Sequence, residues 1–136
     1  MSQENVEIVR RGYELFAAGD LEAVAELFAD DAQLPGAGGL GIAGTAASTY
    51  YGPEGFLRGI EEALESFEDY HVEPEEFIHA GDSVVVPVRI SGRGRASGAP
   101  LETRLAHVWV FRNGKVIRSE IYRTVPEALE AVGLSE

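Results

Sequence analysis

Val6, Val9, Tyr13 and Phe16 recur at spacings of three, four and three, the stripe of an amphipathic helix that Ser2 can cap and Gly19 ends. Asp20 can cap a second short helix carrying Leu21, Val24, Leu27 and Phe28, so Ala18-Gly19-Asp20-Leu21 reads as the corner of a helical hairpin closed by Asp30-Asp31. Ala32 to Leu34 is a short strand candidate. Residues 35 to 44 hold five glycines in ten positions and predict a loop. Pro53 suits the first turn of a third helix with the stripe Phe56, Leu57, Ile60, Leu64 and Phe67.

From His71 the period changes from helical to alternating. His71 to Ile78 is expected as one strand, Gly81-Asp82 as a turn, and Val84 to Ile90 as a second strand in which Pro87 suggests a bulge or an edge. Ser91 to Pro100 reads as a ragged hairpin end. Leu101 to Phe111 and Lys115 to Arg123 form a last hairpin around Asn113-Gly114. Thr124-Val125-Pro126-Glu127 is a capping box opening a terminal helix. The order predicts an α+β domain over residues 1–136, with helices against one face of a curved sheet.

Alternation along Leu101 to Phe111 puts Leu105, His107, Trp109 and Phe111 on one face and Ala106, Val108 and Val110 on the other; the first is expected to face the core. A two-residue Asn113-Gly114 turn would set His107 opposite Glu120, and a three-residue loop with a bulge would set it opposite Ser119. The longer loop is favoured, because it groups Ile117 and Ile121 with Trp109 and Phe111. Val85, Pro87, Ala106, Val108 and Val110 then form an outward apolar patch, which predicts a homodimer through the sheet's outer face.

Composition narrows the function classes. Eleven basic against twenty-three acidic residues give a net charge of −12, which argues against nucleic acid or an anionic membrane as partner. The absence of cysteine removes disulfides, thiolate metal sites and a cysteine nucleophile. A polar, acidic start and no long apolar run suggest a cytoplasmic protein. No histidine and carboxylate spacing suggests a metal site. Gly36-Ala37-Gly38-Gly39-Leu40-Gly41 satisfies Gly-x-Gly-x-x-Gly but lacks the helix that a dinucleotide site requires, so a mobile rim loop is the better reading. Arg93 and Arg95 read as a solvated hairpin end, and His71 and His79 as surface residues.

Several segments together resemble the nuclear transport factor 2-like superfamily, in particular its SnoaL-like branch. They are Ala18-Gly19-Asp20-Leu21, Leu27 to Ala32, Tyr51-Gly52-Pro53-Glu54-Gly55, Gly81-Asp82, His107 to Val116, and Tyr122 to Leu134. The resemblance covers essentially the whole chain. It implies a cone-shaped fold of the cystatin-like roll type: a strongly curved antiparallel sheet wrapped around helices, an apolar pocket open at one end, and a common habit of dimerising.

Polyketide cyclases, ketosteroid isomerases and limonene epoxide hydrolases share that fold with noncatalytic modules. By resemblance, His107 occupies the pocket position where cyclases and isomerases carry an acid. The isomerase's basic carboxylate would fall near Pro35-Gly36, its helix-1 tyrosine at Gly12, beside Tyr13, and an epoxide hydrolase acid at Ile121.

His107 is therefore the candidate catalytic residue, since an imidazole in a pocket can exchange a proton near neutral pH; the plainer reading is a buried histidine bonded to Ser119. Tyr13, Phe56, Ile60, Leu105, Trp109, Ser119 and Ile121 are the expected ligand-binding residues, with Tyr13 needing a hydroxyl partner if buried. Tyr50 and Tyr51 are expected either to cover the pocket mouth or to anchor the loop. The expectation is a protein for a small hydrophobic ligand, polycyclic or carbonyl-bearing. If catalytic, it is a cofactor-independent isomerase, cyclase or lyase; the rival is a noncatalytic binding or dimerisation domain.

Overall fold

A computed structural model describes residues 2–35 and 49–133 of the chain. The rim-loop reading of the glycine-rich segment falls almost wholly between these two stretches, outside the described residues. Helices α1 (Ser2–Ala17) and α2 (Leu21–Ala25) form the expected hairpin. Gly19 ends α1 with a φ of 83°, and the Asp20 carboxylate caps α2 by accepting from the Ala23 amide at 3.3 Å.

The chain then enters β1 (Phe28–Pro35), which is longer than the expected Ala32 to Leu34. Asp30 and Asp31 lie in this strand rather than at the end of a helix. The Leu27 carbonyl accepts from the Val116 amide at 3.0 Å, which draws the backbone onto the sheet.

Strand β2 (Thr49–Tyr51) pairs antiparallel with β1 and leads into α3 (Gly52–Ser66), with Pro53 in its first turn. Gly52 has a φ of +72°, and a Cβ there would stand 2.4 Å from the Asp30 carbonyl oxygen. Both the backbone angle and the contact demand glycine. Gly52→Ala is expected to cost about 1–3 kcal/mol, read as a lower urea midpoint at unchanged slope.

The single strand expected over His71 to Ile78 is two strands, β3 (Phe67–Pro74) and β4 (Ile78–Ala80). Pro74 has no N–H to carry the ladder on, and residues 75–77 leave it. Both strands pair with β5 (Ser83–Gly94). Pro87 is neither at an edge nor in a bulge. It lies between the ends of those two pairings, where β5 needs no donor on that side, and its carbonyl accepts from the Glu75 amide at 2.8 Å. Strands β6 (Pro100–Arg112) and β7 (Lys115–Tyr122) follow, then α4 (Val125–Ala131), capped by Thr124 accepting from the Glu127 amide at 3.2 Å.

The sheet order is β2-β1-β7-β6-β5-β3, with β4 also on β5, and only β1 and β7 run parallel. The hairpin between β6 and β7 corrects both sequence alternatives. Asn113 and Gly114, at φ 54° and 79°, make a two-residue turn. The register then slips between Phe111–Val116 and Val110–Arg118, leaving Ile117 as an extra residue. His107 consequently opposes Ile121, and Ser119 opposes Trp109. Such slips, here and between Glu68 and His71, bend the sheet into an open curl.

The concave side holds the main core, where Val84, Val86, Val88 and Ile90 meet Phe56 and Ile60 of α3 and Val6, Val9 and Tyr13 of α1. The expectation of helices on one face only is wrong. Helix α4 lies on the convex side, and its Ala128 joins Val85, Ala106 and Val108 in a second, fully buried cluster flanked by Val125 and Leu129. The apolar patch read from alternation is real, but the chain covers most of it itself. Val85 to Val88 are buried on both faces, which explains the unbroken apolar run in β5.

Candidate active site and its apolar cavity

The pleat of β6 aims His107 and Trp109 into the concave core, where α1 presents Tyr13. The Tyr13 hydroxyl lies 2.8 Å from His107 Nδ1, and the Trp109 indole N–H donates to the same hydroxyl at 2.9 Å. The indole can only donate, so Tyr13 accepts from Trp109. The direction of the Tyr13–His107 bond follows the imidazole tautomer: the phenol donates to an unprotonated Nδ1 or accepts from Nδ1–H.

The three rings pack as a unit. Tyr13 and His107 meet end to end with 10° between their planes, while Trp109 stands edge-on to both. Phe77, from the break between β3 and β4, covers Tyr13 edge-on, and the Arg10 guanidinium lies 4.6 Å from the centre of the Phe77 ring. Burial pushes the Tyr13 phenol well above its ordinary value of 10.0, outweighing the opposite pull of the Trp109 bond. Tyr13 is thus a hydrogen-bonding phenol and not a phenolate base. His107 is fully buried, at 0% exposure.

The remaining expected site residues divide. Ser119 is buried beside Trp109, not opposite His107, and among the described residues its hydroxyl has no hydrogen-bond partner. Ile121 opposes His107 from β7. Ile60 is buried on α3, and Leu105 packs against the core one alternation from His107. Tyr50 bonds Glu62 of α3 and packs on the core, whereas Tyr51 is exposed. His71 and His79 are exposed, as expected. Among the described residues, no group of three or more histidines or carboxylates is placed to hold a metal ion.

An apolar cavity of about 50 Å³ lies between α1, α2 and the sheet. Of the residues expected to bind ligand, it touches Tyr13, Phe56 and Trp109; Ile60, Leu105, His107, Ser119 and Ile121 are not in its wall. Sequence reasoning missed the part of the wall made by Val9, Gly12, Phe16, Val24, Leu27 and Phe28. The signal was present, because the stripes of the two paired helices must face one another as well as the sheet.

This arrangement has known counterparts. Residues 9–119 match the model of the SnoaL-like domain. The chain belongs to that family. Among solved structures, an NTF2-like protein from Burkholderia thailandensis is 26% identical with a TM-score of 0.77, over 93% of this chain and 95% of that one. A protein of ketosteroid isomerase-like fold from Catenulispora acidiphila, in complex with trimethylamine, is 21% identical with a TM-score of 0.71, over 94% and 93%. TerC, co-crystallised with polyporic acid, is 24% identical with a TM-score of 0.73, over 95% and 98%. No curated protein matches the chain. Within the SnoaL-like fold seen here, no described helix is long and apolar enough to cross a membrane.

Proposed function

We propose that this SnoaL-like protein binds a small hydrophobic molecule in the concave interior of its sheet. On this reading His107 carries proton transfer or hydrogen bonding to the ligand without a cofactor, in an isomerase, cyclase or lyase reaction. The observation that carries this is the Tyr13–His107 bond: it orients an imidazole, a group able to donate or accept a proton, in an apolar setting. A carbonyl oxygen that gains charge as an enolate forms is the kind of group such a donor stabilises. The Ser119 hydroxyl, buried without a partner among the described residues, supplies a second polar group on the same face. TerC with polyporic acid and the Catenulispora protein with trimethylamine are precedents for small organic ligands on this fold.

A noncatalytic binding role is the second reading, favoured by the complete burial of His107 and the occupation of its Nδ1 by Tyr13. His107→Gln separates the two, because the glutamine amide can still bond Tyr13 as acceptor or as donor while proton exchange is lost. The variant is expected to fold and to bind ligand, and to lose turnover by at least about a hundred-fold in a screen of carbonyl substrates. Full turnover by the folded variant would leave only the binding role.

Homodimerisation through the convex face belongs to this reading too, with a changed contact. Beyond α4 that face carries Arg89 between Glu73 and Glu102, and Arg104 beside Glu75. A dimer there would be polar and salt-sensitive.

A further inference from the structure

His107 is fully buried, and the apolar cavity beside α1 does not reach it. A ligand that meets the imidazole needs another way in. One chain of contacts leads from His107 to the surface: its ring bonds Tyr13, Tyr13 meets the half-buried Phe77 at 6.0 Å between ring centres, and Phe77 carries the guanidinium of Arg10, whose side chain is 46% exposed. The strand register marks the same place. His107 shares a row with Val86, and β5 has no ladder partner outside Val86, because β3 ends at Pro74 opposite Val88 and β4 begins at Ile78 opposite Val85. Residues 75–77 span that gap outside both ladders, and β6 lies about 10 Å from it, two strand spacings.

We infer that this gap is the entrance to the His107 site and that Phe77 selects what passes, an inference that rests on the reading of His107 given above. The segment is suited to opening. It is held by the Glu75 amide donating to the Pro87 carbonyl at 2.8 Å, by the exposed Arg104–Glu75 ion pair and by the contact of Arg10 with Phe77. Exposed ion pairs and cation–π contacts are weak, and a short segment outside the ladder can open without disturbing it. An outward swing of Phe77 uncovers Tyr13 and leaves an opening one aromatic ring wide. It admits a flat apolar molecule more readily than a branched one.

The probes are two imidazole-acylating agents, diethyl pyrocarbonate and the bulkier di-tert-butyl dicarbonate, with the modified residues located by peptide mass spectrometry. His71 is exposed and serves as the reference. In the unaltered protein His107 is expected to react at least about a hundred-fold slower than His71, with a further loss for the bulkier agent that His71 does not show. Phe77→Ala should raise the His107 rate at least about ten-fold and remove that further loss, with His71 unchanged. Arg10→Ala, an exposed substitution, should raise it about two- to five-fold and serves if Phe77→Ala folds poorly. Ala128→Gly weakens the protein at α4 on the convex side and should leave the rate unchanged, since local and not global opening exposes His107.

An unchanged His107 rate in the folded Phe77 and Arg10 variants, or an equal rise in Ala128→Gly, would overturn the proposal. Acylation is read without turnover. A closed entrance and a failed catalytic role for His107 are therefore told apart.

Discussion

Replacing Tyr13 with Phe is expected to lower stability by about 2–4 kcal/mol, although the ring and nearly all of its packing remain. The deleted oxygen is the acceptor for Trp109 Nε1 and the hydrogen-bond partner of His107 Nδ1. Both partners are buried, and each loses its bond to Tyr13 at a desolvation cost of about 1–3 kcal/mol. A urea titration gives the loss. ¹⁵N chemical shifts of the imidazole report a second consequence, because the balance of tautomers no longer depends on the bond between Nδ1 and the phenol. A loss below about 0.5 kcal/mol, the scale of an ordinary surface change, would show that the three side chains do not form the chain of bonds described.

Val108→Lys is expected to be the more damaging substitution, costing about 3–5 kcal/mol or preventing folding. Val108 is fully buried between the convex face of the sheet and α4 in an apolar cluster, and the carboxylate across from it on β7, Glu120, is already held by Arg118 and Tyr122. Had the patch been open to a second subunit, the same change would simply have released a folded monomer. Circular dichroism and light scattering on one sample distinguish these outcomes. Loss of ellipticity and of the cooperative transition is expected, and a stable, fully folded monomer contradicts the packing of α4.

The contrast between the two sites shows what was legible in the sequence. The α1 stripe, the Asp20 and Thr124 caps and the inward set His107, Trp109 and Phe111 are local signals, each carried by a fixed period or a residue type with one favoured role. The register of β6 against β7 was not legible, because the slip at Ile117 is not marked by any residue that requires it; valine or isoleucine suits a regular strand equally well. The length of β1 was hidden because Phe-Ala-Asp-Asp suits a helix end as well as a strand edge. The side of the sheet taken by α4 was hidden too, since a seven-residue amphipathic helix can bury its stripe on either face.

Tyr13 marked the same boundary within the candidate site. Its position predicted burial and the need for a hydroxyl partner, both of which hold. Which partner it would find depended on the bend of the whole sheet. The catalytic assignment of His107 still rests on resemblance and on this geometry together.

Parallel pairing of β1 with β7 has a kinetic consequence. Strands β5, β6 and β7 follow one another as antiparallel neighbours, and β3 and β4 both lie antiparallel on β5, all joined by short connections, so their contacts need little loop closure. The Tyr13–His107 and Trp109–Tyr13 bonds span 94 and 96 residues. They are made only when the amino-terminal helices and β1 come across to the far side of the meander. A meander formed by itself presents His107 and Trp109 on an open surface, with no phenol to bond them and no second wall to make a cavity. The site is thus a property of the longest-range contacts of the chain, and an intermediate that lacks them has neither its bonds nor its cavity.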